Sequence, residues 1–175
     1  MNQRKPQTTA SRIEGAPASS RIAFVQSCWH REIVDQCRHA FAAAIAKHGF
    51  AEARIDYYEV PGAFEIPLQA KLLAKSGRYG AIVASGLVVN GGIYRHEFVA
   101  EAVIQALMAV QLETEVPVIS AVLTPQSFHE HDEHRRFFRE HFRVKGAEAA
   151  AACALTIANM NRFKEGPRRT RTKAA

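Results

Sequence analysis

Residues 85–99 read SGLVVNGGIYRHEFV. An apolar run stops at Asn90, two glycines follow, and Tyr94, Arg95, His96 and Glu97 crowd ahead of an apolar helical pattern. A buried strand thus delivers a glycine turn and a polar cluster to a helix start. Open α/β sheets bind their ligands at such corners, outside the carboxyl ends of the strands. Gly91-Gly92 ahead of a helix suits an anion, because free N–H groups and the helix dipole point outward there; the pair is equally compatible with a simple turn.

The same alternation extends in both directions. Residues 21–27 (RIAFVQS) form a short apolar run broken at Trp29-His30-Arg31. A helix follows, with Ile33, Cys37, Phe41 and Ile45 every fourth residue on one face, and Gly49 stops it. Residues 54–60 (RIDYYEV) alternate like a strand ended by Pro61-Gly62, and a helix runs from about residue 64 to Gly77. The continuous apolar run 81–89 marks a strand covered on both faces. A helix over 95–113, a strand over 117–123, a charged helix over 128–142 and an alanine-rich helix over 146–161 complete the body. Four strands alternating with helices predict an α/β fold of three αβα layers. Its centre is a four-stranded parallel sheet with helices on both faces. Residues 1–20 read as an extended arm, 21–163 as one domain and 164–175 as a basic tail.

A chain of 175 residues with 47% hydrophobic residues is long enough to bury one sizeable core. No apolar run approaches the roughly 20 residues a membrane span needs, and the polar N-terminus lacks a secretory signal. A cytoplasmic location is expected. The net charge of +6 would invite a nucleic-acid reading, but residues 1–21 hold +3 of it and residues 162–175 hold +5. Subtracting both leaves −2 for residues 22–161, so the basicity belongs to the tails, where it acts as a solvated charge run rather than a built nucleic-acid surface. The cysteines Cys28, Cys37 and Cys153 form no CxxC pair; the last two fall in helical patterns as small core residues.

In a parallel sheet every strand ends on the same edge. Residues 26–31, 61–65, 86–97 and 120–126 therefore gather there, offering Trp29, Glu65, the glycine turn, Arg95, His96 and several hydroxyls: the inventory of a small-molecule pocket. Glu65, in the first turn after Pro61-Gly62, either complements the helix dipole or meets a ligand. The run His129-Glu130-His131-Asp132-Glu133-His134 places His131 and His134 three apart, but the surrounding charges read as an exposed, salt-bridged helix rather than a metal site. No HExxH, GxGxxG or P-loop occurs.

Four segments together resemble 6,7-dimethyl-8-ribityllumazine synthases: VPGAFEIP (60–67), GLVVNGGIYRHEFV (86–99), VPVISAVLT (116–124) and KGAEAAAACALTIANMNR (145–162). Trp29 and the LETEVPV run (112–118) are similar to the type II branch. The resemblance implies a flavodoxin-like fold and a homo-oligomer, a decamer of two stacked pentamers with sites between neighbouring subunits. It implies condensation of 5-amino-6-(D-ribitylamino)uracil with 3,4-dihydroxy-2-butanone 4-phosphate, the penultimate step of riboflavin synthesis, with no metal or redox cofactor. Carried over by position, Trp29 stacks on the pyrimidine. Ala63, Phe64 and Glu65 flank the uracil and ribityl chain, and Leu87, Val88 and Val89 form the strand-end wall. Gly92 and Ile93 present N–H groups to the phosphate, Ser120 comes from across the pentamer interface, and His134 falls at a phosphate-binding position.

Two positions depart from the family pattern. Arg95 stands at the proton-transfer position, with His96 one residue later, which on a helix is a rotation of about 100°. His134 stands where many members have a phosphate-binding arginine. Either His96 serves as the proton shuttle, or Arg95 orients groups and water carries the protons. A catalytically weak flavin- or pyrimidine-binding protein, or a structural assembly on the same fold, is the alternative.

Overall fold

Strand β1 (Arg21–Ser27) pairs in parallel with β2 (Ile55–Val60) on one side and β3 (Tyr79–Leu87) on the other, and β3 pairs in parallel with β4 (Val118–Leu123). The computed structural model describes residues 21–93 and 95–165; the arm assigned to 1–20 and residues 166–175 of the tail lie outside them. Helix α1 (Arg31–Lys47) links β1 to β2, α2 (Ile66–Lys75) links β2 to β3, α3 (His96–Thr114) links β3 to β4, and α4 (Asp132–Glu165) closes the described chain. The strand order β2-β1-β3-β4 is the flavodoxin-like, doubly wound order.

The period of two in the strands sorts the core into two layers. Ile22, Phe24 and Val83 face α1 and α4, where Ile33, Phe41, Phe142 and Ile157 meet them. Ala23, Val25, Ile82 and Ala84 face α2 and α3, against Ile66, Leu73, Val103 and Leu107. Burial pushes the thiol of Cys37 up to about 11 and that of Cys153 up to about 12, so both stay protonated and inert in the core.

The boundaries shift where tertiary packing overrides local signals. β3 runs over 79–87 rather than 81–89, and β2 begins at Ile55 after a short 3₁₀ turn over Glu52–Arg54. The largest correction concerns residues 128–161. One helix, α4, runs unbroken through Gly146, and residues 128–131 precede it. Gly146 is a contact point, not a break. A Cβ there would lie 2.3 Å from the carbonyl oxygen of Cys37 and 3.0 Å from the amide nitrogen of Phe41, both on α1. The glycine lets the two helices approach backbone to backbone.

At the amino ends of the strands, Arg21 grips Asp56 through both nitrogens of its fork, with Nε donating to Oδ2 at 2.7 Å. The Tyr79 hydroxyl donates to the same oxygen at 2.9 Å and meets the Tyr58 hydroxyl at 2.6 Å. These bonds, Arg21's above all, hold the Asp56 carboxyl below the usual carboxylate range. A carboxylate with a depressed folded pKa binds fewer protons than in the unfolded chain. Its contribution is therefore complete above the unfolded pKa of about 3.9 and is lost as the pH falls through the folded value.

Two outcomes are expected. Gly→Ala in a helix interior ordinarily stabilises by about 1 kcal/mol, but Gly146→Ala should destabilise by about 1–3 kcal/mol because the new methyl overpacks against α1 backbone; urea denaturation measures the sign. Asp56→Asn should lower Tm near neutral pH and progressively lose that difference as the pH falls below the unfolded carboxylate value of about 3.9, as the wild-type carboxylate takes up its proton; a Tm series against pH reads it.

Candidate active site

The carboxyl edge of the sheet has a reversal built into it. The chain leaves β1 toward the α1/α4 layer and leaves β3 toward the α2/α3 layer, so the loops after these neighbouring strands diverge and open a crevice between them. Residues 28–30 follow β1 on one side and residues 88–93 follow β3 on the other.

On the β1 side, Trp29 stands 66% exposed on the three-residue connection to α1. Its ring carbons Cε2 and Cζ2 lie 3.8 and 3.9 Å from the place a Cβ on Gly62 would take. The Glu65 carboxylate reaches the same spot: Oε2 accepts the Gly62 N–H at 2.8 Å and sits 3.0 Å from that Cβ position. Gly62 is thus flanked by an indole and a carboxylate. Glu65 closes the amino end of the 3₁₀ turn Ala63–Glu65 that opens α2, the reciprocal half of a capping box. This answers the choice left open by the sequence in part: one carboxylate oxygen caps backbone, and Oε1 makes no hydrogen bond to protein among the described residues. Ala63 is buried, its Cβ 3.5 Å from a Cβ placed on Gly86, while Phe64 is exposed beside it.

On the β3 side, Leu87 and Val88 are buried and point into opposite core layers. The Val88 N–H donates to the Leu123 carbonyl at 2.9 Å, extending the ladder one residue past the strand, and Val89 is half-buried against the α1/α4 layer. The wall is therefore made of backbone at the strand end. Gly92 takes φ +76°, which glycine adopts without strain, and its N–H donates to Asn90 Oδ1 at 3.0 Å. An anion in this turn would take over that donor. Ile93 is exposed.

Arg95 and His96 part company at the start of α3. Arg95 is the exposed N-cap, and its guanidinium lies 4.5 Å over the Phe98 ring. The His96 side chain is only 12% exposed and keeps Nδ1 3.4 Å from Glu97 Oε2. Ser120 is exposed on edge strand β4, its Oγ accepting the Val122 N–H at 3.4 Å. His134 Nδ1 accepts the His129 N–H at 3.2 Å, and its ring lies 5.0 and 5.4 Å from those of His129 and His131. No contact joins Ser120 or His134 to Trp29, Gly62 or Glu65 among the described residues. Beside these histidines, Arg135 pairs with Glu32 on α1 and with Glu130. No group of three or more His, Cys, Asp or Glu side chains among the described residues is arranged to hold a metal, and no described helix is long and apolar enough to cross a membrane.

The sequence profile of 6,7-dimethyl-8-ribityllumazine synthase matches residues 19–162, from the start of β1 almost to the end of α4. The chain belongs to that family. Among its relatives, 6,7-dimethyl-8-ribityllumazine synthase 2 of Pseudomonas syringae pv. tomato is 59% identical over 153 residues, covering 87% of this chain and 89% of its own length. The protein of the same name from Bradyrhizobium diazoefficiens is 61% identical over 145 residues, 82% of this chain and 86% of its own. The 6,7-dimethyl-8-ribityllumazine synthase of Rhodococcus erythropolis is 59% identical over 150 residues, 86% of this chain and 94% of its own.

Pattern reading missed three groups at this edge. Gln26 and Ser27 are fully buried at the end of β1, and neither Gln26 Oε1 nor Ser27 Oγ has a partner among the described residues. The polar pair closing the apolar run RIAFVQS is the signal that could have found them. Glu59 takes both nitrogens of Arg31 at 2.7 and 2.8 Å and lies below the usual carboxylate range because of those bonds; nothing in the spacing of residues 31 and 59 announces that pair.

The capping role of Glu65 is directly testable. Glu65→Ala should cost about 1 kcal/mol of stability, as loss of an end-cap does, while Glu65→Gln, which keeps an acceptor for Gly62, should cost less than half as much in urea denaturation.

Proposed function

We propose that this chain condenses 5-amino-6-(D-ribitylamino)uracil with 3,4-dihydroxy-2-butanone 4-phosphate to 6,7-dimethyl-8-ribityllumazine, releasing phosphate and water in the penultimate step of riboflavin synthesis. The observation that carries the reading is the crevice between β1 and β3, which sets an exposed indole and a carboxylate opposite a positive-φ glycine turn at a helix start, within a chain that matches the family over residues 19–162. Trp29 is the stacking surface for the pyrimidine, and Ala63 and Phe64 flank it. Glu65 Oε1 receives ribityl hydroxyls while Oε2 keeps the cap. The backbone of Leu87, Val88 and Val89 faces the ring edge. Gly92 and Ile93 direct N–H groups at the butanone phosphate, whose charge the α3 dipole favours.

The reaction needs imine formation, loss of phosphate and closure of the second ring by the remaining amine. Holding two reactants in register supplies much of the acceleration, and a proton shuttle supplies the rest. His96 is our choice for the shuttle. Its side chain is only 12% exposed and has a carboxylate neighbour, whereas Arg95 folds over Phe98.

We further propose that the active form is a decamer of two pentamers, in which Ser120 and His134 of one subunit complete the site of the next. Leu68 and Leu72 on α2 and Ile104, Met108 and Leu112 on α3 are exposed, forming an apolar surface of the kind that subunits cover. Their covering brings together what one chain keeps apart. The three free thiols fit action in the reducing cytoplasm.

Mixing the protein with both substrates should produce the lumazine chromophore above the spontaneous rate; no acceleration would overturn the reaction, and a native mass other than ten subunits on the same sample would overturn the assembly. His96→Ala should lower kcat by roughly ten- to a hundredfold, at or below the low end of general acid–base contributions, and Arg95→Lys by less than about threefold; the reverse order would return the role to Arg95.

A further inference from the structure

The three residues between β1 and α1 are clamped at both ends to the same short stretch of β2. At the near end, the Cys28 N–H donates to the Val60 carbonyl at 2.9 Å and more weakly to that of Pro61 at 3.3 Å. At the far end, Arg31, the first residue of α1, sets Nη1 and Nη2 on the two oxygens of Glu59 at 2.7 and 2.8 Å. Arg31 Nη2 also reaches back to Cys28 Sγ at 3.3 Å, closing the ring across the loop. Between the clamps, His30 is held at φ +52°, ψ +44°, a conformation that a non-glycine residue keeps only when its surroundings impose it. The His30 carbonyl accepts the N–H groups of Ile33 and Val34, and its ring packs edge-on to Phe128 at 5.0 Å. Trp29 is the residue so enclosed, and it is itself exposed.

We propose that Arg31 and Glu59 are positioning residues for Trp29. Their bidentate pair fixes the indole against Gly62 and Glu65 and thereby sets the affinity for the ribitylaminouracil, but not for the butanone phosphate. The chemistry of the pair favours this role over a stabilising one. An exposed ion pair adds little to folding, whereas a forked arginine–carboxylate contact fixes direction as well as distance. Lysine cannot reproduce that fork. Glu59 has a second cation in Arg38, 3.6 Å away, so losing Arg31 redirects the carboxylate rather than merely freeing it. The phosphate turn at Gly92 follows β3 and shares no contact with the clamp among the described residues, which is why the two substrates separate.

The inference rests on the proposed role of Trp29 in binding the pyrimidine, and the test keeps the two apart. Trp29 is the only tryptophan of the chain, so its time-resolved fluorescence anisotropy, recorded without substrate, reports loop motion whether or not the protein turns over. In Arg31→Ala and Glu59→Ala the local wobble of Trp29 should increase, with Tm moving by less than about 3 °C. The KM for the ribitylaminouracil should rise roughly tenfold, less than the ~100-fold that a full ångström of misplacement costs, while the KM for the butanone phosphate stays within about twofold. Arg31→Lys should fall between wild type and Arg31→Ala in both readouts. The double variant should be no worse than either single one, as for two halves of one contact. An unchanged anisotropy decay in the single variants, additive losses in the double variant, or equal rises in both KM values would overturn the proposal. If the wild type does not condense the substrates, the proposed reaction falls while the anisotropy series still decides whether the pair positions Trp29.

Discussion

Strand β1 is hydrogen-bonded along both edges, to β2 and to β3, and residues 22–27 are shut off from solvent on both faces. A strand in that position admits polar side chains only at its ends, because a polar group buried in its middle would need a partner that neither apolar layer can supply. Arg21 sits at one end in the Asp56–Tyr79 network. Gln26 and Ser27 sit at the other, followed at once by Cys28 and Trp29. The distribution of chemistry follows from this constraint: a structural polar cluster at the amino edge and the ligand crevice at the carboxyl edge. The crevice lies beside β1 because the chain turns to opposite layers on leaving β1 and β3.

The site is assembled mainly from backbone and from side chains that hold backbone. Glu65 caps Gly62, Val88 extends the ladder to Leu123, Asn90 receives the Gly92 N–H, and Arg31 with Cys28 ties the Trp29 loop to β2. A condensation of two substrates that carry their own nucleophile and leaving group asks for registration more than for reactive protein groups. The geometry agrees with that demand. Each of these bonds restrains the orientation of a surface.

Period and punctuation made the sheet legible. The continuous apolar run ending at Asn90 and the fourfold spacing of Ile33, Cys37, Phe41 and Ile45 correspond to β3 and the buried stripe of α1. Glycine was ambiguous, because a glycine that ends a helix and one that admits a neighbouring helix read alike; at Gly77 the helix stops, and at Gly146 it continues. The backbone of α1 at Cys37 and Phe41, more than a hundred residues away in sequence, distinguishes them. The charge and aromatic spacing of 128–131 read as helix, yet Phe128 is drawn into the core against Phe138 and His30 instead. Trp29, Glu65 and the glycine turn were readable as a cluster because they follow strand ends. Ser120 and His134 stand out by family pattern alone, since no hydrogen bond or ring contact ties either to Trp29, Gly62 or Glu65 among the described residues.

Helix α4 departs from the carboxyl edge and continues for 34 residues, which at 1.5 Å per residue is about 50 Å. Gly146 pins it to α1 near its middle, so it can neither slide nor roll without driving one backbone into another. The helix is a rigid strut anchored at its midpoint, and its far end is held at a fixed remove from the crevice. A reporter fused directly at Glu165 would ride on that strut, its distance from the reacting edge set by helix geometry.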